Sequence, residues 1–220
     1  MTPRSLSLFG LLAFGMAVAQ AHAAGTCTHA LQQAFAASAS AATLPAPCTR
    51  IGPVALGMRK QQVLAALGQP DVTRADAAHP QTLSVVFLYP RELNAQLARH
   101  PRAAGTFAHS QLAVGFRNDR VTNLIALADP NAPLPFDLLG QPAGTHVDRL
   151  LQAIGGHPQW NDSRDYVQFA AMPLGVDVDP DTSAIVGLNI AASKADLDSF
   201  GLPGLQLLKD AKSGLVNGVR

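Results

Sequence analysis

Three aspartates at alternate positions are the residues whose spacing comes nearest to a metal site. Asp177, Asp179 and Asp181 form an Asp-x-Asp-x-Asp run, and carboxylate oxygens are the ligands that Ca²⁺ prefers. A calcium loop of the helix–loop–helix type also needs a glycine at its sixth position and a glutamate at its twelfth, where this chain has Thr182 and Leu188. Strand alternation explains the run more simply, with the intervening valines inward and the acids in solvent. We therefore predict no metal site here.

The histidines, serines and cysteines form no recognisable catalytic pattern. Ser110 follows His109 directly, which is not the arrangement of a nucleophile and its base, and the chain has no Gly-x-Ser-x-Gly segment. No histidine after residue 23 lies beside a cysteine or within a His-x-x-x-His pair; these histidines are His29, His79, His100, His109, His146 and His157. We predict a protein that is not an enzyme and that uses no metal ion or cofactor.

One short stretch carries the residue types that dominate protein interfaces. Trp160, Arg164 and Tyr166 lie close together in the chain, and aromatic and arginine side chains are enriched at interface hot spots. We predict that all three contact a protein partner. The alternative is that Trp160 covers the small hydrophobic core of its own module.

A long basic segment is the second predicted interface. The excursion from Pro90 to Ser110 carries several basic residues against one acid, and connections of this length are usually functional or disordered. Its Arg91, Arg102 and Phe107 complete the predicted protein interface. The alternative is that Arg91 or Arg102 pairs with the acidic Asp177–Asp179 stretch of the same chain, at a gain of about 1 kcal/mol or less for an exposed pair.

The two cysteines, Cys27 and Cys48, predict a structural disulfide. Both follow an N-terminal segment typical of exported proteins, and thiols pair in oxidising compartments. The bridge closes a loop of about 20 residues and contributes roughly 3 kcal/mol on the chain-entropy account. The alternative is lipidation of Cys27, for which the preceding Ala24-Gly25-Thr26 is a poor match.

The N-terminal segment has the features of a secretory signal peptide. Arg4 precedes an apolar run from Leu6 to Val18, and small residues before Ala23 offer a cleavage site. We predict a leader over residues 1–23, a periplasmic or secreted mature protein, and no membrane span. Without Arg4, 15 basic residues remain against 15 acidic ones, which argues against nucleic acid as the partner.

One segment of the chain occurs twice with constant spacing. The run Gly57–Gly68 is matched by Gly144–Gly155, and Val63 and Leu150 fall at the same offset within the two runs. The apolar residues of the second run recur at helical spacing, and each run is followed by β-like stretches separated by turns. The sequence therefore predicts an α+β fold of two tandem modules, each a short helical segment on a three- to four-stranded antiparallel sheet.

The repeat and the composition divide the chain into five parts. After the leader come a disulfide-tied N-terminal helix at 24–50, a first module at 51–129 that contains the 90–110 excursion, a second module at 130–193, and a helical tail at 194–220. The segment Asp129–Pro135 contains three prolines and makes a stiff connector between the modules.

Each predicted module resembles the SmpA/OmlA family of outer-membrane assembly lipoproteins. The similarity lies in Gly57, Val63, the Leu67-Gly68-Gln69-Pro70 segment and the hairpin from Phe116 to Val121. Two such units in tandem resemble the β-lactamase inhibitory protein, whose paired modules form a concave sheet that holds an enzyme. The resemblance implies an exported binding module, either inhibitor-like or an accessory to envelope assembly, with another envelope or periplasmic protein as its partner. The alternative is a small periplasmic enzyme using His100 or His109, or a ligand sensor, with its site between the modules.

Overall fold

Stretches rich in β-branched and aromatic residues make this mainly a chain of strands, because such side chains pack well on a pleated surface. The computed structural model describes residues 27–37, 43–75, 79–92, 109–170 and 172–198. The helices are α1 (27–36), a 3-10 turn at Ala46–Cys48, α2 (Lys60–Leu67), α3 (Val147–Ile154) and α4, which is described over 194–198. The strands are β1 (Arg50–Ile51), β2 (Val54–Ala55), β3 (Val72–Ala75), β4 (Thr82–Tyr89), β5 (Ser110–Arg117), β6 (Arg120–Leu127), β7 (Pro158–Trp160), β8 (Tyr166–Phe169), β9 (Met172–Val178) and β10 (Ile185–Ala191).

The strands β3 to β10 join into one antiparallel sheet. Their order is β3-β4-β5-β6-β10-β9-β8-β7, so each half of the chain contributes four neighbouring strands. The halves meet where β6 pairs with β10, in a register that runs from Leu127 opposite Gly187 to Asn123 opposite Ala191. The predicted α+β class is confirmed, and the sheets of the two halves form a single surface. The short strands β1 and β2 pair with each other in a separate ribbon.

The longer strands coincide with the β-like runs of the sequence, and the two edge strands do not. Asn118 and Asp119 form the two-residue turn between β5 and β6 with φ of +51° and +62°, as tight hairpins require. The edge strand β3 is mostly exposed, and β7 begins with Pro158, which cannot donate to a ladder. Edge strands have one paired side and little burial, so their sequences carry a weak signal.

Matched glycines flank the corresponding helices of the two halves. Gly68 after α2 and Gly155 after α3 have φ of +77° and +70°, a left-handed conformation that other residues rarely adopt. Gly57 and Gly144, ahead of the same helices, have φ of +81° and +89°. The four glycines thus share a positive φ on either side of the two helices, and the internal repeat stays a prediction.

One hydrophobic core lies between the helices and the sheet. Val63 of α2 and Leu150 of α3 are 0% and 1% exposed and belong to the same buried cluster. The cluster also contains sheet residues from both halves, among them Val114, Leu124, Val176 and Leu188. Because Val63 and Leu150 share this cluster, both helices pack on the same face of the sheet. Burying an aliphatic side chain of this size contributes about 1.5–3 kcal/mol.

The predicted disulfide is present and ties α1 to this core. Cys27 and Cys48 are bonded, are 21 residues apart in the chain, and are both buried. Leu31 of α1 is fully buried, and the ring of Phe35 lies 5.1 Å from that of Phe169 on β8, measured between centroids. The N-terminal helix therefore packs on the second half of the sheet.

Several sequence predictions concern parts of the chain outside the described residues. These parts are the leader, most of the 90–110 excursion, and the tail beyond residue 198. Within the described ranges, no helix combines the length and the apolar character needed to cross a bilayer.

Candidate binding site

The sheet face opposite α2 and α3 carries a group of polar side chains. Successive residues of a strand alternate between the two faces, so Val176 and Val178 of β9 belong to the core and Asp177 lies on the opposite face. The register sets Tyr166 of β8 directly opposite Asp177, and Asn189 reaches Asp177 from β10 on the other side. Three neighbouring strands thus bring a carboxylate, a phenol and an amide together.

A cavity of about 600 Å³ lies on this face, across the junction of the two halves. β6 contributes Asn123 and Ile125, and the second half contributes Tyr166, Asp177 and Asn189. The carboxylates in the described lining are those of Asp165, Asp177 and Asp198, and the described lining contains no lysine, arginine or histidine. The cavity is therefore shared by both halves and acidic.

Asp177 is a partly buried carboxylate whose orientation is fixed by an amide. Asn189 is only 6% exposed, and its Nδ2 donates to Asp177 Oδ2 over 2.7 Å. Burial raises the pKa of Asp177 to about 6, against the lowering effect of the Asn189 hydrogen bond, and the nearby charge of Asp165 raises it further. Among the described residues, no lysine, arginine or histidine forms an ion pair with Asp177.

The prediction that all three aspartates of the Asp-x-Asp-x-Asp run are solvated is wrong for Asp177. Both faces of β9 are covered, so alternation along this strand does not separate buried from exposed residues. Asp179 and Asp181 lie beyond the strand in the turn, where Asp179 Oδ1 accepts the backbone N–H groups of Asp181 and Thr182. In the part of the chain that the structure describes, no three histidine, cysteine or acidic side chains are grouped closely enough to hold a metal ion.

Two glycines provide the space for the polar side chains. The phenol of Tyr166 lies across Gly175, so a Cβ at Gly175 would approach the ring carbon Cζ to 2.5 Å. The carboxylate of Asp177 lies over Gly187 on β10 in the same way. Because glycine has no side chain, both polar groups can lie close to the sheet.

The helix α4 covers one end of this face. Asn123 Nδ2 donates to the carbonyl oxygen of Asp196 over 2.7 Å, and the Asp196 carboxylate pairs with Arg117 at 2.6 Å. Lys194 Nζ donates to Gln168 Oε1 over 2.8 Å and pairs with Asp198 at 3.2 Å. These contacts connect α4 to both halves of the sheet beside the cavity.

An exposed loop between β7 and β8 forms part of the cavity's rim. Asn161 Nδ2 donates to Asp165 Oδ1 over 2.5 Å, and Ser163 Oγ donates to the same oxygen over 2.6 Å. These two hydrogen bonds, led by the one from Ser163, hold the pKa of Asp165 below its usual value. The rim therefore adds a carboxylate that is ionised at neutral pH.

The structure places the predicted residues Trp160, Arg164 and Tyr166 on two different faces. Trp160 packs against the hydrophobic core, and the guanidinium of Arg164 lies 5.1 Å from the centroid of its ring. Tyr166 lies on the opposite face, in the cavity, where burial and the charges of Asp177 and Asp198 raise the pKa of its phenol. Only Tyr166 of the three therefore joins the candidate site, and the interface role of all three stays a prediction.

Arg91 does not form the pair with Asp177 or Asp179 that the sequence suggested as an alternative. Its Nη1 pairs with Asp71 Oδ2 at 2.5 Å, and its Nη2 donates to the carbonyl oxygen of Gln69 over 2.7 Å. Arg91 therefore pairs with Asp71 and not with Asp177 or Asp179. The Asp71 side chain is only 4% exposed and also accepts the backbone N–H of Leu88. Asp71 therefore connects the segment before β3 to β4 and to Arg91, which follows β4.

The other predicted residues of the excursion, Arg102 and Phe107, lie outside the described residues, as does His100. His109 directly precedes β5 and is not among the residues that line the cavity.

Sequence reasoning missed Asn123 and Asn189. Each is a single asparagine within a strand of mainly apolar residues, and both are buried. A polar residue inside an apolar strand needs a hydrogen-bond partner when buried, so its presence there is the signal that could have identified this face.

No family model matches the chain, and no curated protein matches it. Among solved structures, the chain is similar to a cysteine-rich secretory protein from Staphylococcus aureus, with 10% sequence identity and a TM-score of 0.40. The similarity covers 64% of this chain and 45% of that protein, so the chain spans less than half of that protein's length.

Proposed function

We propose that this chain is an exported, non-enzymatic binding protein that recognises another protein through the cavity-containing face of its sheet. The observation that carries the proposal is the cavity of about 600 Å³ at the β6–β10 junction, to which both halves contribute side chains. A tandem arrangement of SmpA/OmlA-like units, with a sheet that holds a partner as in the β-lactamase inhibitory protein, would give a site in this position.

The surroundings of the cavity suit a protein partner. Tyr166 lines the cavity and is half-buried, and the lining residues Asn161, Ser163, Asp165 and Asp198 are exposed. An aromatic anchor within a polar rim is the usual arrangement of an interface hot spot. The partner would place a side chain in the cavity and contact the rim around it.

The proposed location is the periplasm or the cell exterior, after cleavage near Ala23. The disulfide between Cys27 and Cys48 supports it, because such bonds form and persist in oxidising compartments. The leader-like N-terminal sequence supports the same location. The protein captured in the experiment below would show whether the partner is an enzyme or an envelope-assembly protein.

A small-molecule site is the second candidate function. The cavity falls within the range of about 300–1,000 Å³ that is usual for small-ligand sites. Asp177, with its pKa raised to about 6, has the acidity of a group that could exchange protons near neutral pH. A sensor or a small enzyme would use these same residues.

A matched pair of variants tests the proposed function. Ser163→Trp adds bulk at the exposed rim of the cavity, and Gln152→Trp adds the same bulk on the exposed side of α3. Immobilised mature protein and Gln152→Trp should capture the same envelope protein, and Ser163→Trp should capture at least about tenfold less. Equal capture by both variants, or no reproducible partner, would contradict the proposal.

A further inference from the structure

We infer that the cavity binds a positively charged organic group, an ammonium or a guanidinium, that pairs with Asp177 and lies against the ring of Tyr166. The inference rests on the proposed function, because the bound group would be a lysine or arginine side chain of the partner protein or, for the second candidate, a free small amine. The chemistry of recognition is the same in both cases.

The charge of the cavity is the first reason. Its described lining has the carboxylates of Asp165, Asp177 and Asp198 and no cationic side chain. Lys194 lies nearby, but its ammonium is engaged by Asp198 at 3.2 Å and by the Gln168 amide oxygen at 2.8 Å. Asp165 and Asp177 are therefore not neutralised by a described side chain. Opposite charges attract more strongly in a cavity than in bulk water, because the local dielectric constant is lower.

The way in which Asp177 is held is the second reason. The Asn189 amide fixes its orientation through the 2.7 Å hydrogen bond but supplies no positive charge. A partly buried carboxylate without a counter-charge costs free energy, and a carboxylate that serves only stability is normally paired with a cation. Asp71 of this same chain is an example, since Arg91 pairs with it. A bound cation would give Asp177 the partner that the described residues do not provide.

The shape of the cavity is the third reason. Gly175 and Gly187 let Tyr166 and Asp177 lie close to the sheet, which leaves room above them. The apolar side chains of Ile125, Val186 and Leu197 also line the cavity. Lysine, arginine and aliphatic amines have an apolar stem and a charged end, which matches apolar walls next to a carboxylate. An aromatic ring beside the carboxylate adds cation–π attraction.

Calorimetric titration of the mature, disulfide-bonded protein with small probes tests the inference without the partner protein. The probes are Nα-acetyl-arginine methylamide, the equivalent lysine compound, the neutral citrulline analogue and 1,5-diaminopentane. We expect the charged probes to bind at least about tenfold more tightly than citrulline. Tighter binding of the capped amino acids would identify a polypeptide side chain as the natural ligand, and tighter binding of the diamine a free amine.

Two variants with the same chemical change assign the binding to Asp177. Asp177→Asn removes the charge in the cavity, and Asp181→Asn removes a charge in the exposed turn. Charged probes should bind at least about tenfold more weakly to Asp177→Asn and unchanged to Asp181→Asn. Equal affinities for citrulline and the charged probes, no binding at about 10 mM probe, or an unaffected Asp177→Asn would each overturn the inference.

A pH titration of the unaltered protein gives the same answer if Asp177→Asn fails to fold. The charged or titratable groups around Asp177 are Tyr166 on β8, Asp165 on the rim, and Lys194 and Asp198 on α4. Binding of the charged probes should weaken as the pH falls from 7.5 to 5, because Asp177 then takes up a proton. Constant affinity over this range would overturn the inference. If the probes fail to bind as expected but the partner protein is still captured, only the inference is overturned and the proposed function stands. If the probes bind as expected but no partner protein is captured, only the proposed function is overturned.

Discussion

The carboxylate of Asp177 lies directly over Gly187 on the neighbouring strand, in space that any side chain at position 187 would occupy. A Cβ there would also lie 2.6 Å from Leu127 Cδ2 and 2.9 Å from the carbonyl oxygen of Ala126. The carbonyl is part of the backbone and cannot rotate away. The position of the acid in the cavity therefore depends on glycine at this site.

Gly187→Ala should lower the free energy of unfolding by about 1–3 kcal/mol, the usual cost of overpacking a well-packed site. Gly175→Ala should cost less, because the obstacle there is the movable side chain of Tyr166. Urea denaturation of both variants measures the difference. A loss from Gly187→Ala no larger than that from Gly175→Ala would contradict this account of β10.

Asp177→Asn should stabilise the ligand-free protein near neutral pH. The folded state raises the pKa of Asp177 to about 6 from an ordinary 3.8, so its protonation favours folding below about pH 4 and this contribution is lost as the pH rises through 6. An amide at position 177 keeps an oxygen for the Asn189 hydrogen bond and removes the buried charge. The gain at pH 7.5 should be about 1–3 kcal/mol.

The same comparison at pH 4 provides the control, because the wild-type carboxyl is then mostly protonated and the gain should nearly vanish. Asp181→Asn, in the exposed turn, should change stability by less than about 0.5 kcal/mol at both pH values. Destabilisation by Asp177→Asn at pH 7.5 would show that the acid has a structural role.

Reduction of the Cys27–Cys48 bridge should lower the free energy of unfolding by roughly 3 kcal/mol, since the bond closes a loop of about 20 residues. Both cysteines are buried, which limits the access of a reductant to the bond. Thermal denaturation with and without dithiothreitol measures the effect. An unchanged midpoint after complete reduction would contradict a stabilising role.

Arg91→Ala should destabilise the protein by about 1–3 kcal/mol, because it removes a charge-assisted hydrogen bond to the nearly buried Asp71 carboxylate. Arg149→Ala, on the exposed side of α3, is the control and should have little effect. Chemical denaturation of the two variants separates a structural arginine from one that acts only at an interface. Equal stabilities would favour the interface role predicted from the sequence.

The sequence was sufficient for the helices α2 and α3 and for the longer strands. The matched glycines at 68 and 155 and the buried pair Val63 and Leu150 mark the helices because backbone conformation and burial restrict these positions strongly. The disulfide followed from the presence of only two cysteines. The edge strands β3 and β7 were missed because they bury little and pair on one side only.

The site was harder to predict because it depends on which residues the strand pairing places side by side. From the sequence alone, Asp177 is predicted to be a solvated strand residue. In the fold it contacts Asn189 of β10, which lies 12 residues further along the chain, beyond a turn. Trp160 and Tyr166 are close in sequence, yet they lie on opposite faces of the sheet. Trp160 pairs with Val167 and shares its face, and Tyr166, the residue before Val167, points to the other face. Strand register decides the position of Asp177 and of Tyr166, and local sequence does not determine that register.

Photo-crosslinking in the cells that produce this protein tests the central claim most directly. A photoreactive residue replaces Gln168, which lines the cavity, or Gln152, which lies on the exposed side of α3. The claim that the cavity-containing face is the binding surface predicts a crosslink to a second protein from position 168 and none from position 152. A crosslink from position 152 alone, or no difference between the two positions, would contradict it.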